Sequence, residues 1–416
     1  MSDGAGGRFS LSRHMPALRY DNFRLLFFAT LGSGVGTWMA TIALTLDVFD
    51  RTGSTWWVAA LLVVTFVPSV IVGLFAGPLV DLLSRKRLVV TADLVRLAVF
   101  CALPFVGTPI AIIVLAGVAG TANSFFRPAV LAGVPNLVAE ADLAGATSLL
   151  QATDWLATAL GPILGGAIVA WSGPDVVYWI NAATFLLSAL LLVRIPARFL
   201  QSEQGITRGR LRDLRDGFDT FRQSRPLVIV LVAFGLTMLG SGLVNVSEIA
   251  LAKRSLASGA FGYGLLWTAS GAGLVVGSLV MGKIVGRRRP LSVYPLGFVP
   301  WAAGVTGAAM APNVWVAALA MSVAGFGNGV TFPLTVLIIQ EHTIDRLRGR
   351  AFTLVISVHN ALLGLAMIAA GALTSAVGPR WTFAVAGALF ATGGLTAFLL
   401  ARGVRSRAAL PRELAA

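Results

Sequence analysis

The ionisable residues Asp47, Asp93, Arg96, Arg127, Asp154, Glu248 and His359 fall within or at the edges of long apolar stretches of this chain. In a low-dielectric surrounding such groups exchange protons, pair with one another, or reach back to a polar edge. Asp154 is expected to act as a protonation switch or, if it sits close to an end of its stretch, to pair with a basic residue. His359 titrates near neutrality and suits proton exchange, although a single histidine more often hydrogen-bonds a backbone carbonyl. Asp93 and Arg96 stand three residues apart on one helical face and can neutralise each other as a structural pair. Arg127, beside Pro128, is expected to snorkel or to meet a carboxylate of the loop around Asp81. Asp47 and Glu248 lie toward the ends of their stretches and are expected at an exposed rim, with a cation-attracting mouth as the alternative.

Composition identifies the frame that must hold these groups. Hydrophobic residues make up 56% of the chain and charged residues 12%, about half the roughly 25% charged that a soluble domain carries. Mean hydropathy is +0.83. The apolar residues run in lengths such as 56–78 and 228–252, near the roughly 20 residues that a helix needs to cross a hydrocarbon core. The chain therefore reads as an all-α membrane protein of twelve transmembrane helices. The first six fall near residues 24–46, 56–80, 88–106, 109–133, 146–171 and 176–195. The second six fall near 227–252, 260–285, 291–310, 313–340, 351–376 and 381–402. A membrane barrel would alternate apolar and polar residues in short segments, and these stretches do not.

The spans group as an N-terminal half (1–195), a polar linker (196–226) and a C-terminal half with a short tail (227–416). Within the linker, Leu211, Leu214, Phe218 and Phe221 among charged residues fit an amphipathic helix on the membrane surface. Basic residues orient the frame. Arg8, Arg13, Arg19 and Arg24, then Arg85, Lys86 and Arg87, then the linker arginines, Arg287–Arg289, Arg346, Arg348, Arg350 and the tail all fall on one face. The opposite face offers only Arg51, Lys253, Arg254 and Arg380. The positive-inside rule makes the basic face cytoplasmic, with both termini and the linker, in a cell membrane. The net charge of +14 is then topological and no sign of nucleic-acid binding, although basic loops can meet anionic lipid headgroups. Cys101, the only cysteine, lies in a span, so neither a disulfide framework nor a cysteine metal cluster is expected. No removable signal peptide is expected either.

The two halves echo each other. Residues 120–128, Gly-Thr-Ala-Asn-Ser-Phe-Phe-Arg-Pro, return 205 positions later as Gly-Phe-Gly-Asn-Gly-Val-Thr-Phe-Pro, residues 325–333. At the same offset Gly77 meets Gly282, Gly166 meets Gly371, and Gly173-Pro174 meets Gly378-Pro379. Internal repeats of this size are the layout of secondary transporters, whose site lies between repeats near the bilayer midplane. The charges do not repeat: Asp81, Asp93, Arg96 and Arg127 align with Gly286, Phe298, Trp301 and Phe332. Only Asp154 aligns with another titratable group, His359.

Between spans two and three, Gly77-Pro-Leu-Val-Asp81-Leu-Leu-Ser-Arg85-Lys86-Arg87 resembles the signature loop of the major facilitator superfamily. Leu82 and Ser84 depart from the arginine and glycine usual there, and the second copy around Gly282 lacks the aspartate. In that superfamily the loop acts as a conformational latch, which implies such a role for Gly77, Asp81, Arg85, Lys86 and Arg87. A turn that only sets topology is the plainer reading. Ser124-Phe-Phe-Arg127-Pro128-Ala129, Pro135-Asn-Leu-Val138 with Glu140, and Gln340-Glu341 before Arg348-Gly349-Arg350 resemble the enterobactin-exporter and macrolide-efflux branch. Asp93-Leu-Val-Arg96 and Asn22-Phe23-Arg24 fit the same branch. Gly161-Pro162-Ile-Leu-Gly165-Gly166 is similar to the tail of the antiporter motif of the superfamily's exporters. Its glycines also admit a close neighbouring helix and its proline frees a carbonyl, so simple packing is compatible. Ala116 stands where the superfamily's fourth-span motif has arginine, which puts the usual arginine-centred proton coupling in doubt.

The resemblance implies the major facilitator fold and a secondary active exporter of amphiphilic or aromatic small molecules, working by alternating access and proton-coupled antiport. The alternative is a siderophore or lysophospholipid translocator without proton coupling. Trp38, Phe66, Phe125, Trp155, Trp267 and Phe332 fall in spans that border the central cavity in this superfamily, although each such residue can equally pack or face lipid. A sensor or scaffold is disfavoured because spans and short loops fill almost the whole chain. No Gly-x-x-x-x-Gly-Lys-[Ser/Thr] loop, catalytic triad or metal cluster is present in the sequence, so neither an ATP-driven pump nor an enzyme is expected, and no cofactor or metal. The expected partners are a small-molecule substrate, protons and membrane lipids, with the chain as a monomer.

Overall fold

A computed structural model describes residues 16–75, 84–197, 224–284, 289–343 and 345–402, and among them no strand occurs. In the first half the helices are α1 (Asp21–Thr52), α2 (Thr55–Phe75), α3 (Arg85–Ala102), α4 (Pro109–Gly133), α5 (Leu143–Ser172) and α6 (Pro174–Arg194). In the second they are α7 (Arg225–Ala250), α8 (Gly259–Ile284), α9 (Pro290–Met310), α10 (Val314–Glu341), α11 (Asp345–Val377) and α12 (Pro379–Arg402). Helices suit such apolar runs because each satisfies its own backbone where no water can. Prolines open α4, α6, α7 and α9 within the first two positions, where the missing N–H leaves no bond unmade. Eleven of these helices are long and apolar enough to cross a membrane. The remaining one, α9, has 21 residues, but Pro290, Pro295, Pro300, Tyr294 and Trp301 lower its apolar character.

The repeat appears in the backbone. Gly173 and Gly378 adopt φ of +80° and +83°, a region costly for any residue with a side chain. Each is followed by the proline that starts the next helix. The expected equivalence of the two Gly-Pro junctions is thus an equivalence of conformation.

The chain divides into two compact units, residues 1–208 with 257–268 and residues 209–256 with 269–416. The first turns of α8 therefore group with the first unit. In the first unit α1 packs on α5 and α6, and α3 on α4 and α6. The second unit repeats the scheme, with α7 on α11 and α12, and α9 on α10 and α12. Two apolar clusters fill the first unit, one around Phe23, Val89, Phe126 and Leu150 and one around Leu44, Phe100, Ile112 and Phe185. In the second unit Val230, Tyr294, Phe298 and Leu334 belong to one such cluster. Leu279, Leu319 and Leu365 stay exposed, as hydrocarbon-facing surface permits.

Candidate functional site

The buried polar centre of the first unit lies on α3, between its two apolar clusters. Asp93 and Arg96 are buried and paired, Arg96 Nη2 donating to Asp93 Oδ1. Arg96 Nη1 donates to Asn123 Oδ1 of α4 at 3.1 Å, and Nε to the Ala92 carbonyl at 3.3 Å. Ser188 Oγ of α6 donates to Asp93 Oδ2 at 2.6 Å. The guanidinium carbon lies 4.3 Å from the ring centres of both Phe126 and Phe185, a cation–π sandwich. The pair therefore fastens three helices, its polar atoms bonded to one another and to Asn123, Ser188 and the Ala92 carbonyl. Asn123, Ser188 and Phe185 were not legible as its partners, because they sit on other helices at no regular spacing.

Arg127 of α4 reaches Asp154 of α5, Nη2 to Oδ2 at 2.6 Å, with the two side chains 57% and 42% exposed. Two coupling candidates thus meet each other. Of the latch, Gly77 and Asp81 lie outside the described residues. Arg85 donates to the Ala132 carbonyl at 3.0 Å and Lys86 to the Val193 carbonyl at 2.7 Å, so both cations cap the carbonyl ends of α4 and α6. Arg87 gives its backbone N–H to Ser84 Oγ at the start of α3.

The glycine motif of α5 sets two helix crossings within the first unit. A side chain at Gly165 would bring its Cβ to 2.7 Å from the Met39 carbonyl, and one at Gly161 would strike Trp38. A Cβ at Gly166 would lie 2.7 Å from the Ala260 carbonyl at the start of α8. Gly161 and Gly165 therefore admit α1, and Gly166 admits α8. Pro162 is buried within the same helix, and Thr268 Oγ1 of α8 donates to the nearby Ala159 carbonyl at 3.0 Å. These approaches bring Trp38 and Trp267 together, with ring centres 5.6 Å apart. Both are half-buried, and the Trp267 indole N–H is buried without a partner. Phe66, Phe125 and Trp155 are half-buried on α2, α4 and α5, and none of them joins that pair.

In the second unit His359 is buried and hydrogen-bonds the backbone of Leu231. Its ring centre lies 4.7 Å from that of Phe234, and its Nε2 has no partner. Phe234 also meets Phe332 at 6.4 Å, while Phe332 is 47% exposed.

Two expectations fail. Asp47 and Glu248 are 6% and 2% exposed, so neither forms an exposed rim. Asp47 pairs with Arg51 at 2.6 Å and accepts from the Tyr178 hydroxyl at 3.0 Å. Glu248 is buried because the chain does not leave the packing at the end of α7. It continues as a π turn, Leu251–Ser255, whose first residues are buried.

The model of a family described as "transmembrane secretion effector" matches residues 12–412. The chain belongs to this family of major facilitator transporters. Such proteins are transporters rather than enzymes. The chain is 27% identical to the uncharacterized major-facilitator-type transporter YfiS of Bacillus subtilis, covering 90% of this chain and 92% of that one. It is 27% identical to the multidrug efflux pump Tap of Mycobacterium tuberculosis, over 90% and 92%. It is 25% identical to the enterobactin exporter EntS of Shigella boydii, over 79% of each. Among solved structures, the nucleoside transporter NupG matches with a TM-score of 0.72 at 14% identity, over 92% of this chain and 100% of that one. A bacterial homologue of the iron transporter ferroportin matches at 0.72 and 16%, over 92% and 99%. These likenesses establish the major facilitator fold for this transporter.

Proposed function

We propose that this transporter exports amphiphilic or aromatic small molecules by proton-coupled antiport, through alternating access of its two six-helix halves, residues 1–195 and 227–416. The observation that carries the substrate class is the Trp38–Trp267 pair. Two half-buried indoles with ring centres 5.6 Å apart offer ring faces to a planar aromatic molecule. Export is supported by the activities in the names of Tap and EntS. Gly161, Pro162, Gly165 and Gly166 supply the crossings on which the tryptophans meet. Gly77 and Asp81 with Arg85, Lys86 and Arg87 act as the latch, and the linker, both termini and these basic residues face the cytoplasm. The Arg127–Asp154 pair is a clasp between α4 and α5 that opens and closes in the cycle. A single chain carries the whole cycle, in contact with membrane lipids.

Proteoliposomes test this with ethidium, a macrolide, a siderophore and a lysophospholipid, with and without an imposed pH gradient. Gradient-stimulated flux of ethidium or the macrolide is expected, and it should drop in Trp38→Ala and Trp267→Ala. Movement of only the siderophore or lysophospholipid, indifferent to the gradient, would replace this reading with the uncoupled one.

A further inference from the structure

Three carboxylates are buried among the described residues: Asp47, Asp93 and Glu248. The first two are paired with Arg51 and Arg96. Among the described residues Glu248 is in no ion pair, and its buried Oε1 has no hydrogen-bond partner. It lies within the apolar stretch Arg225–Ser255, seven residues or about 10 Å of helix from its end. A carboxylate in such a place has nothing to offset the loss of water, so the packing around it suits the protonated acid.

Among the described residues, no ion pair reaches it from the surrounding elements. On α12, Arg380 donates to the carbonyls of Ala309 at 2.7 Å and Ser255 at 3.5 Å, and Arg402 stands in the last turn over Phe398. On α11 the ionisable residues are Asp345, Arg346, Arg348 and Arg350 in the first two turns, and His359, which meets α7 at Leu231 and Phe234. Leu231 is 17 residues before Glu248, about 25 Å along the helix. On α10, Glu341 ends the helix and His342 caps it. Lys253 and Arg254 belong to the π turn.

That turn is the second observation. It begins three residues after Glu248, and the Leu251 N–H is shared between the Glu248 and Ser247 carbonyls. Isolated π turns loosen the regular backbone ladder and recur at functional sites. The irregularity starts within one helical turn of the carboxyl.

We infer that Glu248 is the proton-carrying group of this transporter: it holds a proton while its end of α7 is packed as observed, and releases that proton to water when transport opens this segment. The inference rests on the coupled-antiport reading and names the group that serves it. Ethidium flux in proteoliposomes should rise with an imposed pH gradient in the wild type, and Glu248→Gln should lose that stimulation while keeping gradient-free exchange. Gradient-insensitive wild-type flux overturns the coupled reading and this inference together. A gradient response that persists in Glu248→Gln overturns this inference alone. Infrared difference spectra of purified wild type against Glu248→Gln at neutral pH provide a readout independent of transport. A protonated-carboxyl band that disappears in the variant is expected, and its absence from the wild type overturns the inference.

Discussion

The two units share one helix-packing scheme and fill its centre with opposite chemistry. In the first, Arg96 lies against the ring of Phe185 and pairs with Asp93. Moved by 205 positions these become Trp301, Phe390 and Phe298. There Trp301 stacks on Phe390 at 4.8 Å with planes 19° apart. A guanidinium on a ring in one unit is an indole on a ring in the other, at the same two places. The fold therefore accepts either filling, and the buried ion pair is no requirement of the helix arrangement. Replacing a buried pair by apolar residues is often neutral, whereas removing one partner strands the other.

The largest expected effect follows from that asymmetry. Arg96→Met leaves Asp93 buried without a cation and should cost about 3–5 kcal/mol of stability. Asp93→Leu combined with Arg96→Met gives the first unit an apolar filling like that of the second, and should recover most of the loss. Thermal unfolding in detergent micelles reads both. A double variant as unstable as the single one would show that the polar network is needed for the first unit, and the comparison would break.

The units also place their close crossings on different helices. In the first unit the small residue lies on α5, where Gly165 admits α1. In the second its counterpart is Ala370, and Gly242 on α7 takes over, since a Cβ there would lie 2.7 Å from the Leu363 carbonyl of α11. Gly165→Ala should cost about 1–3 kcal/mol as overpacking against backbone that cannot yield. Ala370→Gly should cost only about 1 kcal/mol through helix propensity. Equal losses in the two variants would mean that the crossings are alike after all.

These crossings show how far a sequence could be read. The spans, the two halves and the glycines of α5 follow from hydropathy and composition, which act locally. The Asp93–Arg96 pair follows from helical spacing alone. Asp154 was legible as an ionisable group at depth, but its partner Arg127 stands 27 positions away on another helix. Tyr178 meets Asp47 across 131 positions, and no local pattern encodes such a meeting. The sequence puts Glu248 at a rim, because a position near a helix end says nothing about a π turn that carries the chain onward in the packing.

The Arg127–Asp154 clasp has no ion-pair counterpart, since its partners align with Phe332 and His359. With both side chains about half exposed, the pair should contribute less than about 1 kcal/mol to stability. Its expected effect is on transport. Asp154→Asn should slow ethidium flux by a factor of about five at most, the size that a pair worth less than about 1 kcal/mol allows, with the unfolding midpoint nearly unchanged. Arg127→Asp with Asp154→Arg should restore part of the flux. Flux that stays at the wild-type rate in Asp154→Asn would reduce the clasp to an ordinary surface pair.

The smallest effect is expected at His359, the residue that aligns with Asp154. His359→Phe removes a hydrogen bond to the backbone of Leu231, a loss of about 1 kcal/mol. It also removes a buried Nε2 that has no partner, and it keeps a ring against Phe234. The two changes offset each other, so stability should move by less than about 1.5 kcal/mol, as for a shape-conserving core exchange. The response of flux to a pH gradient should also be unchanged, because the alignment of His359 with Asp154 is one of position and not of role. A well-folded His359→Phe that lost the gradient response would assign the proton to His359, make the aligned pair functionally equivalent, and remove Glu248 from that role.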